Sequence, residues 1–289
     1  MSAQLQPDTT TAEDTAFVQF WNEVLGPKFI RFKHVLVDGL TQHSEAIFPS
    51  LPVRPGDKVL DVGCGFGDTA IKLANIVGPE GEVVGVDCCD AFLDYARKDI
   101  EAHGLTNVRL MRGDAEIALP QDQFDFVFAR FGTMFFANPV AGLRNMRKSL
   151  RPGGRMVHIV WRDRSDNPWL SMAKDIVLQY LPPPGDDAQT CGPGPFSMSN
   201  EDTVRAMMKA AGYSDIEFRR VDAPVLIGAD VADAIAFQLA IGPAGEVAEQ
   251  RREEIEAALA EAIKRQTTSS EGIVMPSSSW VISAVNPAQ

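Results

Sequence analysis

A strand-like run that ends in three closely spaced glycines limits the fold of this chain more than any other feature. The β-branched, apolar run 58–62 is followed by Gly63, Gly65 and Gly67. An apolar helical pattern then begins at Asp68, a residue type that favours the N-cap of a helix. The segment predicts a strand, a tight turn and a helix, an arrangement in which the backbone can approach a bound nucleotide-like group closely.

Further apolar runs alternate with helical patterns over the following hundred or so residues. These runs are 82–86, 108–111, 124–130 and 155–161. The first of them ends in Asp87, and an acid at this place in a nucleotide-binding α/β sheet accepts hydrogen bonds from ribose hydroxyls. The next helix starts near Asp90 and is closed by Gly104. The alternation predicts an α/β fold around a mostly parallel sheet.

Three short motifs carry a resemblance to a known family. Asp-x-Gly-x-Gly-x-Gly begins at Asp61, Gly-Asp-Ala begins at Gly113, and Arg-Pro-Gly-Gly begins at Arg151. In order and spacing they resemble the motifs of class I methyltransferases that use S-adenosylmethionine (SAM). The dinucleotide fingerprint of an NAD-dependent oxidoreductase would need a glycine where this chain has Asp68, so that alternative is disfavoured.

The resemblance implies a Rossmann-like fold with a seven-stranded, mostly parallel sheet of order 3-2-1-4-5-7-6. Segments 215–221 and 279–285 are expected to be its antiparallel edge strands. We divide the chain into a polar tail with entry or lid helices, 1–50, and a SAM-binding methyltransferase domain, 51–289. Two inserts in the second part, near 163–200 and 230–266, are expected to form a cap over the acceptor site together with the helices of the first part.

The resemblance also implies where the cofactor lies. SAM should cross the carboxyl ends of strands one to four, with Gly63 and Gly65 near its methionine part. Asp87 should hold the ribose, and Asp114 with Ala115 the adenine. The full set of expected cofactor-binding residues is Trp21, Asp61, Gly63, Cys64, Gly65, Asp87, Cys88, Gly113, Asp114, Ala115 and Arg130.

The stretch from about 20 to 160 resembles the UbiE-like methyltransferases of ubiquinone and menaquinone biosynthesis. This resemblance implies C- or O-methylation of a small apolar or aromatic acceptor and leaves the acceptor unnamed. The expected substrate pocket follows the fourth and fifth strands, and its residues are Phe131, Met134, Phe135, Phe136 and Trp161. Alternatively, these aromatic residues only pack a helix against the sheet.

Composition excludes several classes of function. The formal net charge of −12 disfavours a nucleic acid substrate. No apolar run is long enough to span a bilayer, and the N-terminus does not resemble a signal peptide. The four cysteines lack C-x-x-C spacing, so we expect reduced thiols in a cytoplasmic protein and no metal. The adjacent Cys88 and Cys89 leave an arsenic or thiol methyltransferase as a minor alternative.

The sequence does not identify a catalytic acid or base. Among the four histidines, His34 on the entry helix is the weak candidate for a base, while His103 is expected to end a helix and His158 to lie in the core. Arg130 stands where a metal-dependent O-methyltransferase would place an acid. A SAM-binding regulatory module without catalysis stays an alternative, and the oligomeric state stays open.

Overall fold

The computed structural model describes residues 14–182, 193–241 and 249–288. Their strands form one sheet in the order β3-β2-β1-β4-β5-β8-β6, in which β1 to β5 are parallel. β8 runs antiparallel to both β5 and β6, and the two-residue β7 pairs with β8. The strands are β1 Lys58–Val62, β2 Glu82–Asp87, β3 Val108–Arg112, β4 Phe124–Arg130, β5 Leu150–Trp161, β6 Ser214–Gly228, β7 Thr267–Thr268 and β8 Ile273–Val285.

This arrangement confirms the predicted fold, with β1 in the middle of the sheet and β8 in the place expected for the seventh strand. The sheet has eight strands rather than seven because the two-residue β7 pairs with the first residues of β8. β6 and β8 are also longer than predicted. Their extra residues pair with each other, from Asp222 with Ser278 to Gly228 with Ile273.

Helices pack on the sheet and extend over its carboxyl edge. They are α1 Ala16–Phe20, α2 Gly26–Arg31, α3 Lys33–Glu45, α4 Asp68–Val77, α5 Asp90–Ala102, α6 Pro139–Ser149, α7 Met172–Val177, α8 Glu201–Ala211, α9 Val231–Ala240 and α10 Arg252–Lys264. A π-helical turn, Trp21–Leu25, joins α1 to α2. The region 16–50 therefore holds several short helical segments. In the expected insert near 230–266, the described residues form α9 and α10, and 242–248 lie outside the described residues.

The expected role of Asp68 as an N-cap is wrong. The cap of α4 is Gly67, whose φ of +83° is a left-handed conformation, and Asp68 is the first residue of the helix. A Cβ on Gly67 would lie 2.8 Å from the Cβ of Ala96 in α5. Gly67 thus lets the chain turn sharply into α4 while α5 packs closely against the turn.

Replacing Gly67 with alanine should destabilise the protein by about 2 to 4 kcal/mol, because backbone strain and the contact with Ala96 add together. Gly104→Ala is the matched control, since Gly104 also has a positive φ but a Cβ there meets no atom within 4 Å. Urea denaturation of the two variants measures both effects. Equal destabilisation of both variants would show that the packing against Ala96 contributes nothing.

Candidate active site

A cavity of about 850 Å³ opens at the carboxyl ends of the parallel strands. This volume lies in the upper part of the range of about 300–1,000 Å³ that is usual for ligand pockets, and the location is the usual one for ligands of open α/β sheets. Each of the five parallel strands contributes residues at or just after its end. These residues include Val62, Asp87, Gly113, Arg130 and Trp161.

Almost all of the residues that the sequence predicted for the site line this cavity. Of the expected cofactor-binding residues, only Asp61 is absent from the lining of the cavity. All five residues of the expected substrate pocket are part of this lining. The predicted residues in the lining are Trp21, Gly63, Cys64, Gly65, Asp87, Cys88, Gly113, Asp114, Ala115, Arg130, Phe131, Met134, Phe135, Phe136 and Trp161. Their proximity is a structural fact, and their individual roles stay predictions.

The glycine turn after β1 forms one wall of the cavity. Gly63 has a φ of +69°, and a Cβ there would approach the Cα of Gly132, after β4, to 3.4 Å. Gly65 has a φ of +53°, and a Cβ there would meet no protein atom within 4 Å. Because Gly65 lines the cavity, the missing side chain leaves space for a ligand beside the backbone.

The carboxylate of Asp87 joins the loops that follow β1 and β2. Its Oδ2 accepts a hydrogen bond from the backbone N–H of Gly65 at 2.8 Å, and its Oδ1 accepts one from Cys89 at 2.9 Å. Burial raises the pKa of Asp87, while these N–H donors act in the opposite direction. A carboxylate has about four acceptor positions, so Asp87 retains capacity for ligand hydroxyls.

Asp61 lies behind the cavity wall rather than in it. Its side chain is fully buried, and its Oδ2 accepts a hydrogen bond of 2.6 Å from the hydroxyl of Thr69. Its Oδ1 has no hydrogen-bond partner among the described residues. Burial raises the pKa of this carboxyl to about 7. The expected contact of Asp61 with the cofactor would therefore have to reach through the wall of the cavity.

Arg130, at the end of β4, is paired within the protein. Its Nη2 lies 2.8 Å from the carboxylate of Asp68, and its Nη1 donates a hydrogen bond of 3.2 Å to the hydroxyl of Ser44. The side chains of Arg130 and Asp68 are both largely buried. The guanidinium of Arg130 thus compensates the negative charge of Asp68, and it also favours the ionised form of the nearby Asp61.

Asp114 connects the loop after β3 with the N-terminal segment. Its Oδ1 accepts a hydrogen bond of 2.9 Å from the N–H of Glu116, and its Oδ2 lies 3.4 Å from the donating hydroxyl of Thr15. The backbone carbonyl of the neighbouring Ala115 accepts a hydrogen bond of 3.0 Å from Asn145. The loop is thus fixed on both sides, and Asp114 and Ala115 line the cavity.

Sequence reasoning missed Asn22, which attaches the N-terminal helices to the loop after β2. Its Nδ2 donates to the carbonyl of Cys88 at 2.9 Å, and its Oδ1 accepts from the N–H of Asp90 at 3.0 Å. Asn22 belongs to the π-helical turn, a structure often found at functional sites. The ring of the preceding Trp21 meets that of Phe135 edge to face at 5.3 Å. No local sequence pattern marked Asn22.

The end of the cavity away from the acidic loops is aromatic. Phe131 has a φ of +56°, a rare conformation for a non-glycine residue, and its ring stacks on Trp161 at 3.9 Å. Trp169, which sequence reasoning also missed, meets Trp161 edge to face at 5.3 Å and lies parallel to Phe237 at 6.4 Å. These residues come from four separate parts of the chain, so no single motif could reveal the wall that they form.

The structure does not favour His34 as a base. Its side chain is 51% exposed, and its Nε2 lies 2.9 Å from Asp233, outside the lining of the cavity. His103 bonds the carbonyl of Asp99 at the end of α5, as expected. His158 is buried in β5, and burial lowers its pKa to about 3.

His43 is also buried, between the hydroxyls of Ser277 and Ser279 at 2.7 and 2.8 Å. Burial lowers its pKa to about 4, so it stays neutral near pH 7. Within the described ranges, no histidine lines the cavity.

The described residues hold neither a cluster of potential metal ligands nor a helix that could span a membrane. In residues 14–182, 193–241 and 249–288, no cluster of three or more His, Cys, Asp and Glu side chains is placed to hold a metal ion. None of the helices in these ranges has the length and apolar character required to cross a membrane. The cysteines Cys64, Cys88 and Cys89 are free thiols, and Cys191 lies outside the described residues.

Known proteins resemble this chain in sequence and in structure. A family model described as "Methyltransferase domain" matches residues 54–178. The ubiquinone/menaquinone biosynthesis C-methyltransferase UbiE of Ectopseudomonas mendocina is 32% identical over 179 residues, which are 58% of this chain and 70% of that protein. A demethylmenaquinone methyltransferase of Staphylococcus aureus is 27% identical over 210 residues, 68% of this chain and 84% of that protein.

A solved structure shares the fold. The phosphoethanolamine N-methyltransferase 2 of Haemonchus contortus, solved with bound SAM, superimposes with a TM-score of 0.58 at 16% identity. The match covers 95% of this chain and 61% of that one. With the sequence relatives, these findings place the protein in a family: the chain belongs to the SAM-dependent methyltransferases, with UbiE-like enzymes among its relatives.

The residues present fit SAM. The carboxylate of Asp87 lines the cavity and keeps acceptor positions free for hydroxyl groups such as those of the ribose of SAM. The open space beside Gly65 allows a ligand to touch the backbone there. The protein's net charge of −12 also favours the approach of a cation.

The raised pKa of Asp61 predicts a pH-dependent stability. In the unfolded chain this carboxyl ionises near its ordinary pKa of 3.8, whereas in the folded protein it ionises at about 7. The folded state therefore holds a proton that the unfolded state has lost, and stability should fall as pH rises between these two values. In the Asp61→Asn variant this decrease in the free energy of unfolding, on the order of 3 kcal/mol between pH 5 and pH 8, should be absent.

Denaturant unfolding of the ligand-free protein at both pH values measures this effect as the difference between wild type and variant. Asp94→Asn, at an exposed position of α5, is the control and should follow the wild type at both pH values. The same pH dependence in Asp61→Asn and wild type would contradict a raised pKa for Asp61.

Proposed function

We propose that this enzyme methylates a carbon or oxygen atom of a small aromatic acceptor, with SAM as the methyl donor. The observation that carries the proposal is that one cavity is lined by both the acidic glycine turn and the aromatic wall. A cofactor bound at the glycine turn and an acceptor bound at the aromatic wall would lie next to each other inside the protein. The relatives named for ubiquinone and menaquinone biosynthesis support an acceptor of this kind.

The acceptor end suits a flat, apolar molecule. Phe131 and Trp161 form a stacked pair, and Met134, Phe135 and Phe136 line the same cavity. Aromatic side chains bind flat rings through offset or edge-to-face contacts, and phenylalanine rings supply no hydrogen-bond donor for a phosphate. Phe131 follows β4 directly, and its neighbour Gly132 lies close to Gly63, so the aromatic wall begins beside the glycine turn.

When bound, SAM supplies a methyl group on a sulfonium, which is a good leaving group for an in-line displacement. The residues of this chain would then act mainly by alignment. Asp87 would hold the ribose, and Asp114 and Ala115 the adenine, while the aromatic wall orients the acceptor and excludes water. Such alignment can contribute roughly 7 to 11 kcal/mol to lowering the barrier.

No general base is assigned to the reaction. The cavity lining in the described residues contains no histidine, and His34 is engaged by Asp233 outside it. A base is optional when the acceptor ionises readily, as phenols and hydroquinones do at moderately alkaline pH. We therefore propose that an acidic hydroxyl on the acceptor loses its proton to solvent before the acceptor enters the cavity. After methylation at a ring carbon, the proton on that carbon moves to the same oxygen and restores the aromatic ring. The free thiols support a cytoplasmic location, which remains part of the proposal.

A turnover assay tests the proposed acceptor class. The protein is incubated with SAM carrying a deuterated methyl group and with naphthohydroquinone, naphthol or ethanolamine phosphate, and products are identified by mass spectrometry. We expect labelled product from the aromatic acceptors, with fragmentation showing whether ring or oxygen is methylated, and none from ethanolamine phosphate. Product from ethanolamine phosphate alone would overturn the acceptor class, and SAM binding without any product would favour the regulatory alternative.

The proposed ribose contact predicts that Asp87→Ala weakens SAM binding at least about tenfold, because hydrogen bonds to a charged group contribute roughly 1.5–3 kcal/mol each. Calorimetric titration with SAM measures the change. Asp94→Ala, on the exposed face of α5, is the control and should bind SAM like the wild type. An unchanged dissociation constant for Asp87→Ala in a folded protein would refute the placement of the ribose.

A further inference from the structure

A buried histidine supports the aromatic wall of the cavity from behind. The ring of His43, near the end of α3, meets the ring of Phe131 at 5.7 Å and that of Trp161 at 5.1 Å. Both contacts are close to perpendicular, while the two larger rings stack on each other. His43 is fully buried, and it is not among the described residues that line the cavity. It can therefore act on an acceptor only through the stacked pair.

Hydrogen bonds fix the orientation of this imidazole. Its Nε2 lies 2.7 Å from the hydroxyl of Ser277, and its Nδ1 lies 2.8 Å from that of Ser279 in the same strand, β8. The Ser277 hydroxyl donates its one proton to the carbonyl of Ala223 at 2.7 Å, so towards His43 it can only accept. Nε2 therefore carries the proton of the neutral ring, and Nδ1 accepts from Ser279. The ring is thus held through both of its nitrogens.

Phe131 has a backbone conformation that requires such support. Its φ of +56° is costly for a non-glycine residue and persists only where the surrounding structure holds it. Its backbone N–H donates to the carbonyl of Ile159 at 2.9 Å. Ser44, which follows His43 in α3, accepts a hydrogen bond from Arg130 at 3.2 Å. The end of α3 therefore contacts both Arg130 and Phe131, where β4 ends and the chain turns.

The helix α3 is itself fixed on the extended part of β6 and β8. Gly39 packs against β6, since a Cβ there would lie 2.9 Å from the carbonyl oxygen of Leu226. Ser279, which bonds to His43, lies directly opposite Trp161 in the pairing of β8 with β5. The strand extensions that the sequence did not predict thus hold the helix behind the aromatic wall. Groups that orient a ligand need a rigid support of this kind.

We propose that His43 is a positioning residue for the methyl acceptor. It fixes the stacked pair of Phe131 and Trp161, and this pair sets the orientation of the acceptor ring. Precise placement matters, because misplacing a bound reactant by about 1 Å can lower the rate about a hundredfold. The role requires neither a charge nor a proton transfer at His43. The inference rests on the proposed function, since it takes the acceptor to bind at the aromatic wall.

Two variants loosen this support without changing a residue of the cavity lining. His43→Phe keeps an aromatic ring and removes both hydrogen bonds, whereas Ser279→Ala keeps the imidazole and removes the bond at Nδ1. Ser149→Ala is the matched control, because Ser149 is equally buried and donates its hydrogen bond within α6, to the carbonyl of Asn145. Denaturant unfolding and calorimetric titration with S-adenosylhomocysteine establish that each variant is folded and binds this ligand.

Turnover of naphthohydroquinone and naphthol gives kcat and KM, and mass spectrometry gives the shares of ring- and oxygen-methylated product. We expect His43→Phe to lower kcat at least about tenfold and Ser279→Ala at least about threefold, with the acceptor KM and the Kd of S-adenosylhomocysteine within about twofold of wild type. The share of the minor product should rise in both variants. Folded molecules alone form product, so a loss of stability does not by itself change that share. Ser149→Ala should match the wild type.

The possible outcomes distinguish positioning from ordinary core packing. Either folded variant with the expected behaviour supports the role of His43, and if one variant does not fold, the other decides. If the folded variants keep the wild-type kcat and product shares, or if they lose affinity for S-adenosylhomocysteine in place of kcat, the positioning role is wrong while the acceptor site stands. If the wild type methylates neither acceptor, the proposed function fails and the inference fails with it.

Discussion

The site depends on the carboxylate of Asp87 more than on any other single group. It accepts one hydrogen bond from the turn after β1 and one from the start of the segment that leads into α5. A carboxylate that accepts two backbone N–H bonds fixes both loops, because each charge-assisted bond is stronger than one between neutral groups. The glycine turn, with positive φ at Gly63, Gly65 and Gly67, is thereby held in the one conformation that leaves room for a ligand.

The second constraint is the contrast between the two ends of one cavity. Near the glycine turn, the buried pair of Arg130 and Asp68 and the high pKa of Asp61 reduce the repulsion among several carboxyls. At the other end, the stacked rings of Phe131 and Trp161 and the edge-to-face contact of Trp161 with Trp169 form an apolar wall. The cofactor would therefore bind at the polar end near the glycine turn, and a flat acceptor would bind next to it at the aromatic end.

The sequence predicted the end of the cavity at the glycine turn well, because short local patterns encode it. The run 58–68, the acid at Asp87 and the Gly-Asp-Ala motif are each contained within a few residues, and the strands that carry them lie in the predicted order. A glycine at a positive φ is a local requirement, so it leaves a local signal. The error at Asp68 arose because two adjacent residues both suit the start of a helix, and the left-handed turn at Gly67 was needed to decide between them.

The acceptor end was predicted only in part, because it is assembled from distant segments. Phe131 follows one predicted strand and Trp161 ends another, whereas Trp169, Phe237 and Gln238 come from inserts that carry no motif. The extensions of β6 and β8 were missed for a similar reason. Their paired residues include Pro224 and Pro276, which disfavour a strand in sequence analysis, and the pairing itself is long-range.

A crystal structure of the complex with S-adenosylhomocysteine shows directly whether Asp87 holds the ribose. We expect the ribose hydroxyls to bond to Asp87 while Gly65 and Cys89 still donate to it, and the sulfur to face the stacked pair of Phe131 and Trp161. A ligand bound outside this cavity, or a ribose that makes no contact with Asp87, would contradict this placement.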